Sequence, residues 1–374
     1  MFDDIRPYND SEAVEALARI AQSREFEHAA AYLFPNRPIE DLRHKLRSVR
    51  SIDQLQTTVM VQVIRRIIQT TISQFTYSGI EHLNAGQNYL FISNHRDIVL
   101  DAYLLQYILF QHHMPLCQIT FGENLMSNPI IADFGRCNNM FKVQRGGTPK
   151  EFYSALHHLS CYISHTLMQG KNSIWIAQRN GRTKDGNDRT DPALIKMLAM
   201  YDLHITPTTL LNLHIVPVTI SYEWEPCDTM KALELCKTWR DGTYRKAHDE
   251  DLRSIISGIT TPKGHVHITI GKPIGQDDLS NCPHTGNSLC NTVTRLLDSR
   301  INQGYHPMPT NHIAHHILHP EEDSQQYDNE TIQHFLRHID PTPCCDNLDP
   351  SLLRTQLLHL YAAPIEKLKI ENVS

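Results

Sequence analysis

The run Phe91-Ile92-Ser93-Asn94-His95-Arg96-Asp97-Ile98-Val99-Leu100-Asp101 sets one imidazole close to two carboxylates along the chain. A neutral imidazole takes a proton from a hydroxyl when a carboxylate fixes its tautomer and orientation, so the chemistry on offer is general base catalysis. Both Asp97 and Asp101 are candidates for that carboxylate. Asp97 is the better placed to cap the helix that the following residues predict, because a short acidic side chain accepts from free N–H groups there. Asp101 falls on the first turns of that helix and can fold back toward the strand end, so both carboxylates stay open as partners of His95.

Two further stretches concentrate positive charge. In Phe141 to Glu151, Thr148 as N-cap, Pro149 in first helical position and Glu151 three residues after the cap spell out a helix start. Arg145, Gly146 and Gly147 stand just ahead of it, and a guanidinium beside flexible backbone and a helix N-terminus suits a phosphate. In Gln178 to Thr190, Arg179, Arg182, Lys184 and Arg189 lie on one glycine-containing loop. Asp185, Asp188 and Asp191 partly neutralise them, so a solvated surface loop is the plain alternative. His312, His315, His316 and His319 have helical metal-ligand spacing, but they lie outside this block in a chain of 23 histidines, where such groups arise by chance. The pair Cys344 and Cys345 reads as two thiols in a C-terminal loop.

These residues need elements to hold them. Tyr89 to Ser93, Ser173 to Ala177, Ile215 to Ser221 and Val266 to Ile270 are short apolar runs that predict buried strands. Segments of helical period at about 98–111, 149–168 and 191–203 alternate with the first three. The expected fold class is α/β: a mixed, mostly parallel sheet flanked by helices, preceded by a helical N-terminal segment. The expected division is a helical segment over 1–80, a catalytic α/β unit over 81–276, and a C-terminal helical extension with a polar tail over 277–374. Pro217 inside the third strand implies a sheet edge, a bulge or a local loss of pairing. Leu55 to Phe75 predicts a helix with a wide apolar face interrupted by Arg65 and Arg66, which rules against crossing a bilayer; the face can lie on a membrane surface or pack on the core, and packing is favoured.

Composition narrows the classes. A chain of 374 residues, 40% hydrophobic, buries a core without disulfides. A net charge of -6 argues against nucleic acid as partner. Nine scattered cysteines with no apolar signal segment fit a reducing, cytoplasmic setting, and no uncharged run is long enough to span a membrane.

Asn94-His95-Arg96-Asp97 with Asp101 resembles the first motif of the glycerolipid acyltransferase family, Asn-His-x-Ser with an Asp soon after. Five residues rather than four separate His95 from Asp101, and Asp97 takes the usual Ser position. The Arg145 segment resembles the second motif, which binds the acceptor phosphate. Asn180-Gly181-Arg182 stands where the family carries Glu-Gly-Thr-Arg, so the acidic residue is replaced and the arginine arrives one position early. Ile215 to Ser221 resembles the fourth, apolar motif, and His265 to Ile274 the closing strand, so the likeness covers roughly residues 80 to 275. The resemblance implies transfer of a fatty acyl group from acyl carrier protein or acyl-CoA to a hydroxyl of glycerol 3-phosphate or a lysophospholipid. His95 and Asp101 would be catalytic, and Asn94, Arg145, Arg179, Arg182 and Lys184 would bind substrate. No cofactor or metal is called for, and contact with the cytoplasmic face of a membrane is expected of an enzyme with a lipid product. Two other readings stay open: an inactive member that binds lipid or protein, and a metal-dependent hydrolase using His95, Asp97 and Asp101. His95-Arg96-Asp97 and Asp133-Phe134-Gly135 imitate kinase signatures, but Ala102 replaces the metal-binding Asn and no glycine-rich loop precedes His95.

Overall fold

The computed structural model describes residues 2–373 except 124–125, 127, 145, 171, 248, 281, 283–284, 323–326 and 341–348. Seven strands form one sheet: β1 (Ile72–Ser78), β2 (Leu90–Ser93), β3 (Cys117–Gly122), β4 (Met140–Val143), β5 (Ser173–Ala177), β6 (Ile215–Tyr222) and β7 (Gly264–Ile270). Their order across the sheet is β1-β7-β6-β2-β5-β3-β4. Every neighbouring pair is parallel except β6 and β7, which run antiparallel, so the fold class is the mixed, mostly parallel α/β sheet expected. Strands β2 to β6 therefore share one carboxyl edge, on which Ser93, Ala177 and Tyr222 end.

The alternation of side chains along each strand assigns the two faces. Phe91, Ile119 and Trp175 join Leu17, Ile20, Ile64 and Ile67 of the N-terminal helices and the helix Leu100–Gln111 in one core. Leu90, Ile92, Ile174 and Ile176 join the helices Pro149–Met168, Pro192–Ala199 and Gly286–Gln303 in the other. The helices ahead of residue 72 thus share a core with the sheet. The capping box read at Thr148 with Glu151 is formed, and a second one forms at Asn9 with Glu12.

Three differences from the sequence reading have plain causes. The helix expected over Leu55 to Phe75 ends at Thr71, and the chain turns directly into β1, whose pattern of exposed and half-buried residues is that of a sheet edge. Strands β3 and β4 were not among the expected ones, because β3 alternates instead of running apolar and β4 has four residues. The tail after Pro320, expected to be polar, carries the helices Asn329–Ile339 and Pro350–Val373, and Phe335, Leu353, Leu357 and Tyr361 are buried against the helix Asp228–Asp241.

Pro217 lies in an interior strand, not at an edge. Its carbonyl accepts from Gly271 N at 2.8 Å, and the β6–β7 ladder begins only at Val218 opposite Ile270. The missing N–H therefore falls where β7 has ended, which is the local loss of pairing allowed to a proline. Gly271 has no side chain to spare there: a Cβ would lie 2.7 Å from Pro217 Cγ.

A buried ion network ties the loops at the carboxyl edge together. The Arg96 guanidinium, 2% exposed, donates to Asp188 Oδ2 at 2.6 Å, Glu225 Oε2 at 3.2 Å and the Gly186 carbonyl at 3.2 Å. Lys231 donates to Glu225 Oε1 at 2.5 Å and to the Arg96 carbonyl at 2.7 Å. Two cations thus balance two carboxylates, all four side chains being buried. Arg96→Met would strand the Asp188 charge and should lower stability by about 3–5 kcal/mol. Urea unfolding at pH 7 measures it, and a loss below about 1 kcal/mol, the range of an exposed pair, would mean the network does not hold these loops.

Candidate active site

His95 follows the end of β2 by two residues, and Asn94 between them is fixed on both sides of its amide. Asn94 Oδ1 accepts from Ile220 N at 2.8 Å, while Nδ2 donates to the Ile220 carbonyl at 3.0 Å and to Asp188 Oδ2 at 2.9 Å. Asn94, expected to bind substrate, is instead fully buried, with both ends of its amide hydrogen-bonded inside the protein. The loop is pinned further by Gln178 N to the Ser93 carbonyl at 2.8 Å and Thr183 N to the His95 carbonyl at 2.7 Å.

His95 Nδ1 lies 2.9 Å from Asp101 Oδ2. The extra residue between them is accommodated because the helix starts at Leu100, so Asp101 sits in its first turn and points back over the loop. Asp101 is fully buried, and its Oδ2 also accepts from the backbone N–H of Arg96 at 2.6 Å and of Asp97 at 2.9 Å. Its Oδ1 accepts from the Tyr222 hydroxyl at 2.9 Å. Four hydrogen-bond partners hold this carboxylate in one orientation. The imidazole is steadied from the side by the edge of Trp175, with ring centroids 5.7 Å apart, and Trp175 Nε1 is itself bonded to Ser93 Oγ at 3.0 Å. With Nδ1 occupied by Asp101, Nε2 is the nitrogen left for a ligand.

Asp97 serves the helix. Its Oδ1 accepts from Val99 N and Leu100 N, each at 2.8 Å. Its Oδ2 is buried without a hydrogen-bond partner among the described residues, under Gly258, whose added Cβ would lie 2.2 Å from it. Burial first, then the neighbouring Asp101, raises the Asp97 pKa above the usual carboxylate range.

The cationic residues separate. Arg179 is half-buried and has no hydrogen-bond or ion-pair partner among the described residues. Together with His95, Asn180 and Gly181 it lines a cavity of about 850 Å³. Arg182, also expected to bind substrate, is 9% exposed: Nη2 donates to Ser254 Oγ at 2.9 Å, and Nη1 is buried without a partner among the described residues. Lys184 forms an ion pair with Glu234 of the helix Asp228–Asp241. Arg145 lies outside the described residues, as do Cys344 and Cys345. So His95 and Asp101 are paired and Arg179 lines the same cavity as His95, whereas Asn94, Arg182 and Lys184 have partners within the protein.

From its polar end the cavity runs along the apolar face of the N-terminal helices, walled by Leu33, Val59, Val63 and Ile67, with Tyr103 and Phe121 on the sheet side. The face of Leu55 to Thr71 that the sequence offered to either core or membrane packs here. Among the described residues no helix is long and apolar enough to cross a membrane, and no three His, Cys, Asp or Glu side chains are grouped to hold a metal ion. Tyr222 and Trp175 escaped the sequence reading. Tyr222 lies one residue past the end assigned to its strand, and nothing local links it to Asp101, 121 residues away.

A family model described as Acyltransferase matches residues 74–221, which span β1 to β6 and carry His95, Asp101 and Arg179. No curated protein matches the sequence. A solved structure, the 1-acyl-sn-glycerophosphate (LPA) acyltransferase PlsC from Thermotoga maritima, is similar with a TM-score of 0.39 at 13% identity, over 79% of this chain and 95% of that one.

The raised pKa of Asp97 has a signed consequence. The folded state binds this proton more tightly than the unfolded chain, so the contribution to stability is full below the unfolded pKa and is lost as pH rises through the folded one. Asp97→Asn keeps an oxygen for the helix cap and removes the titration. Urea unfolding should show the variant gaining on the parent between pH 4 and pH 7, and a difference independent of pH would contradict the assignment.

Proposed function

We propose, from the match of residues 74–221 to the acyltransferase family model, that the protein transfers a fatty acyl group from a thioester to a hydroxyl of a phosphate-bearing acceptor. The donor is acyl carrier protein or acyl-CoA, and the acceptor is glycerol 3-phosphate or a lysophospholipid. The observation that carries this reading is the His95–Asp101 pair at 2.9 Å, set at the polar end of an apolar cavity.

His95 Nε2 takes the proton of the acceptor hydroxyl as its oxygen attacks the thioester carbonyl carbon. The carbon–sulfur bond breaks, and the thiolate leaves and recovers the proton from the imidazolium. Asp101 stabilises the imidazolium in passing. No acyl-enzyme is required, because a thiolate is a good leaving group, and the protein contributes mainly position and activation. The acyl chain lies in the cavity along Val59, Val63 and Ile67. Arg179, which lines the cavity and has no hydrogen-bond or ion-pair partner among the described residues, takes the acceptor phosphate.

Two observations favour a second reading, an inactive member of the fold that binds lipid: Asn180 faces the cavity where the family carries a glutamate, and Arg182 is turned inward to Ser254. Free thiol release from long-chain acyl-CoA and acyl carrier protein, with each acceptor added, separates the two. Acceptor-dependent release should fall about a hundredfold to ten-thousandfold in His95→Ala. Binding of acyl thioester with no release from any acceptor would favour the second reading.

The cavity bears an apolar rim. Phe134, Phe152 and Leu252 line it and yet are 41%, 40% and 48% exposed, with Tyr153 and Ile256 exposed beside them. Arg37 and Lys45 line the same cavity. Such a rim suits docking on the face of an anionic membrane, from which an acyl chain enters without crossing water. Co-sedimentation with phosphatidylglycerol vesicles should drop on Phe152→Asp/Leu252→Asp substitution. Equal recovery of parent and variant in the supernatant would remove membrane docking from the proposal.

A further inference from the structure

The last turn of β6 reaches the loop after β2 at two points. Ile220 holds the Asn94 amide from both sides, and two residues on, Tyr222 delivers its hydroxyl to Asp101 Oδ1 at 2.9 Å. Residues two apart on a strand point to the same side in their side chains, yet here one contact is made by backbone and the other by side chain, so the strand clamps the loop and the carboxylate in a single register. Tyr222 is 1% exposed, opposite Val266 of β7, and belongs to the buried core on that face of the sheet.

We propose that Tyr222 is a positioning residue for the reaction: it acts through Asp101, holding the carboxylate so that the oxygen opposite is presented to His95 Nδ1. The proposal rests on the reading of His95 as the base. Asp101 has two oxygens with different duties. Oδ2 receives His95 and two backbone N–H groups. Oδ1 receives Tyr222. Without the hydroxyl, Oδ1 would be a buried anionic oxygen with no donor, which is a strong incentive for the carboxylate to rotate and exchange its oxygens. Each rotation would move the hydrogen bond on which the imidazole's orientation depends.

The hydroxyl stays protonated at any working pH. Burial, then the adjacent Asp101 and Asp97, and more weakly Glu225, raise its pKa well above the ordinary phenol range. It is therefore a fixed donor and does not enter proton transfer. The charged or titratable groups facing Asp101 are then His95 from the loop, Asp97 at the start of the helix, and Tyr222 from β6, with Glu225 beyond it.

Removing the hydroxyl has two effects with distinct signatures. The carboxylate keeps three donors and its charge, but loses one group that disperses that charge, so it pulls harder on the Nδ1 proton and His95 titrates at higher pH. The imidazole is also less well oriented, so turnover falls. A residue serving only the packing would lower stability without moving the histidine.

The test is a pair of measurements on the full chain. NMR titration of the His95 imidazole, assigned by its loss in His95→Gln, is compared between the parent and Tyr222→Phe, which keeps the ring. Thiol release against pH is measured in parallel. His95 should titrate at higher pH in Tyr222→Phe, with kcat lower by roughly tenfold to a hundredfold, as for other supporting partners of a site histidine, and acceptor KM little changed. Unchanged titration and unchanged kcat would overturn the proposal, as would a change in KM alone. Should Tyr222→Phe fail to fold, fluorotyrosine at position 222 strengthens the donor and should move the His95 titration the other way; no movement would overturn the proposal. Parent protein without turnover on any acceptor would sink the acyl-transfer reading. The NMR comparison would still decide whether Tyr222 governs the imidazole.

Discussion

The buried guanidinium of Arg96 is the constraint on which the rest of the site depends. It stands between His95 and Asp97, and its partners Asp188 and Glu225 come from the loops after β5 and β6. An unpaired charge at that depth is too unfavourable to persist, so the three loops fold together or not at all. Asp188 serves twice more, receiving Asn94 Nδ2 and the Thr183 hydroxyl. The residue between the histidine and the first aspartate thus fixes the backbone from which both project, while the imidazole itself is left partly free at the cavity wall.

The division of labour between the two aspartates follows from the helix start. Asp97 occupies free N–H groups of the helix Leu100–Gln111 and leaves one oxygen idle under Gly258. Asp101, one turn later, faces four donors. The surroundings thus commit one carboxylate to the helix start and the other to the histidine.

Much of this was legible in the sequence because it is local. The strand before His95, the helix after it, the capping box at Thr148 and the apolar run of β6 are signalled within a few residues each. The cationic loop was misread in part for the same reason. Arg179, Arg182 and Lys184 look alike in sequence, and only the fold shows that Arg182 meets Ser254, 72 residues on, and that Lys184 meets Glu234, 50 residues on. Tyr222 and Trp175 are apolar strand residues by pattern, and their polar atoms acquire meaning only from β2 next door. The tail after Pro320 was taken as polar because its apolar residues are spread at helical spacing among charges, and their burial depends on the helix Asp228–Asp241 to receive them.

The reversal between β6 and β7 carries a consequence for how much chain this site requires. The family match ends at residue 221, but β6 is buried along its whole length, with β2 on one side and β7 on the other. A fragment cut at that boundary would present β6 as a naked apolar edge with its hydrogen-bonding groups open to any other chain, the arrangement that leads proteins to associate strand to strand. It would also lack Glu225, Lys231 and Ser254. The matched segment is therefore not an autonomous module in this protein: the reversed pair of strands and the helices that follow close the sheet, and they keep the molecule from polymerising through its own centre.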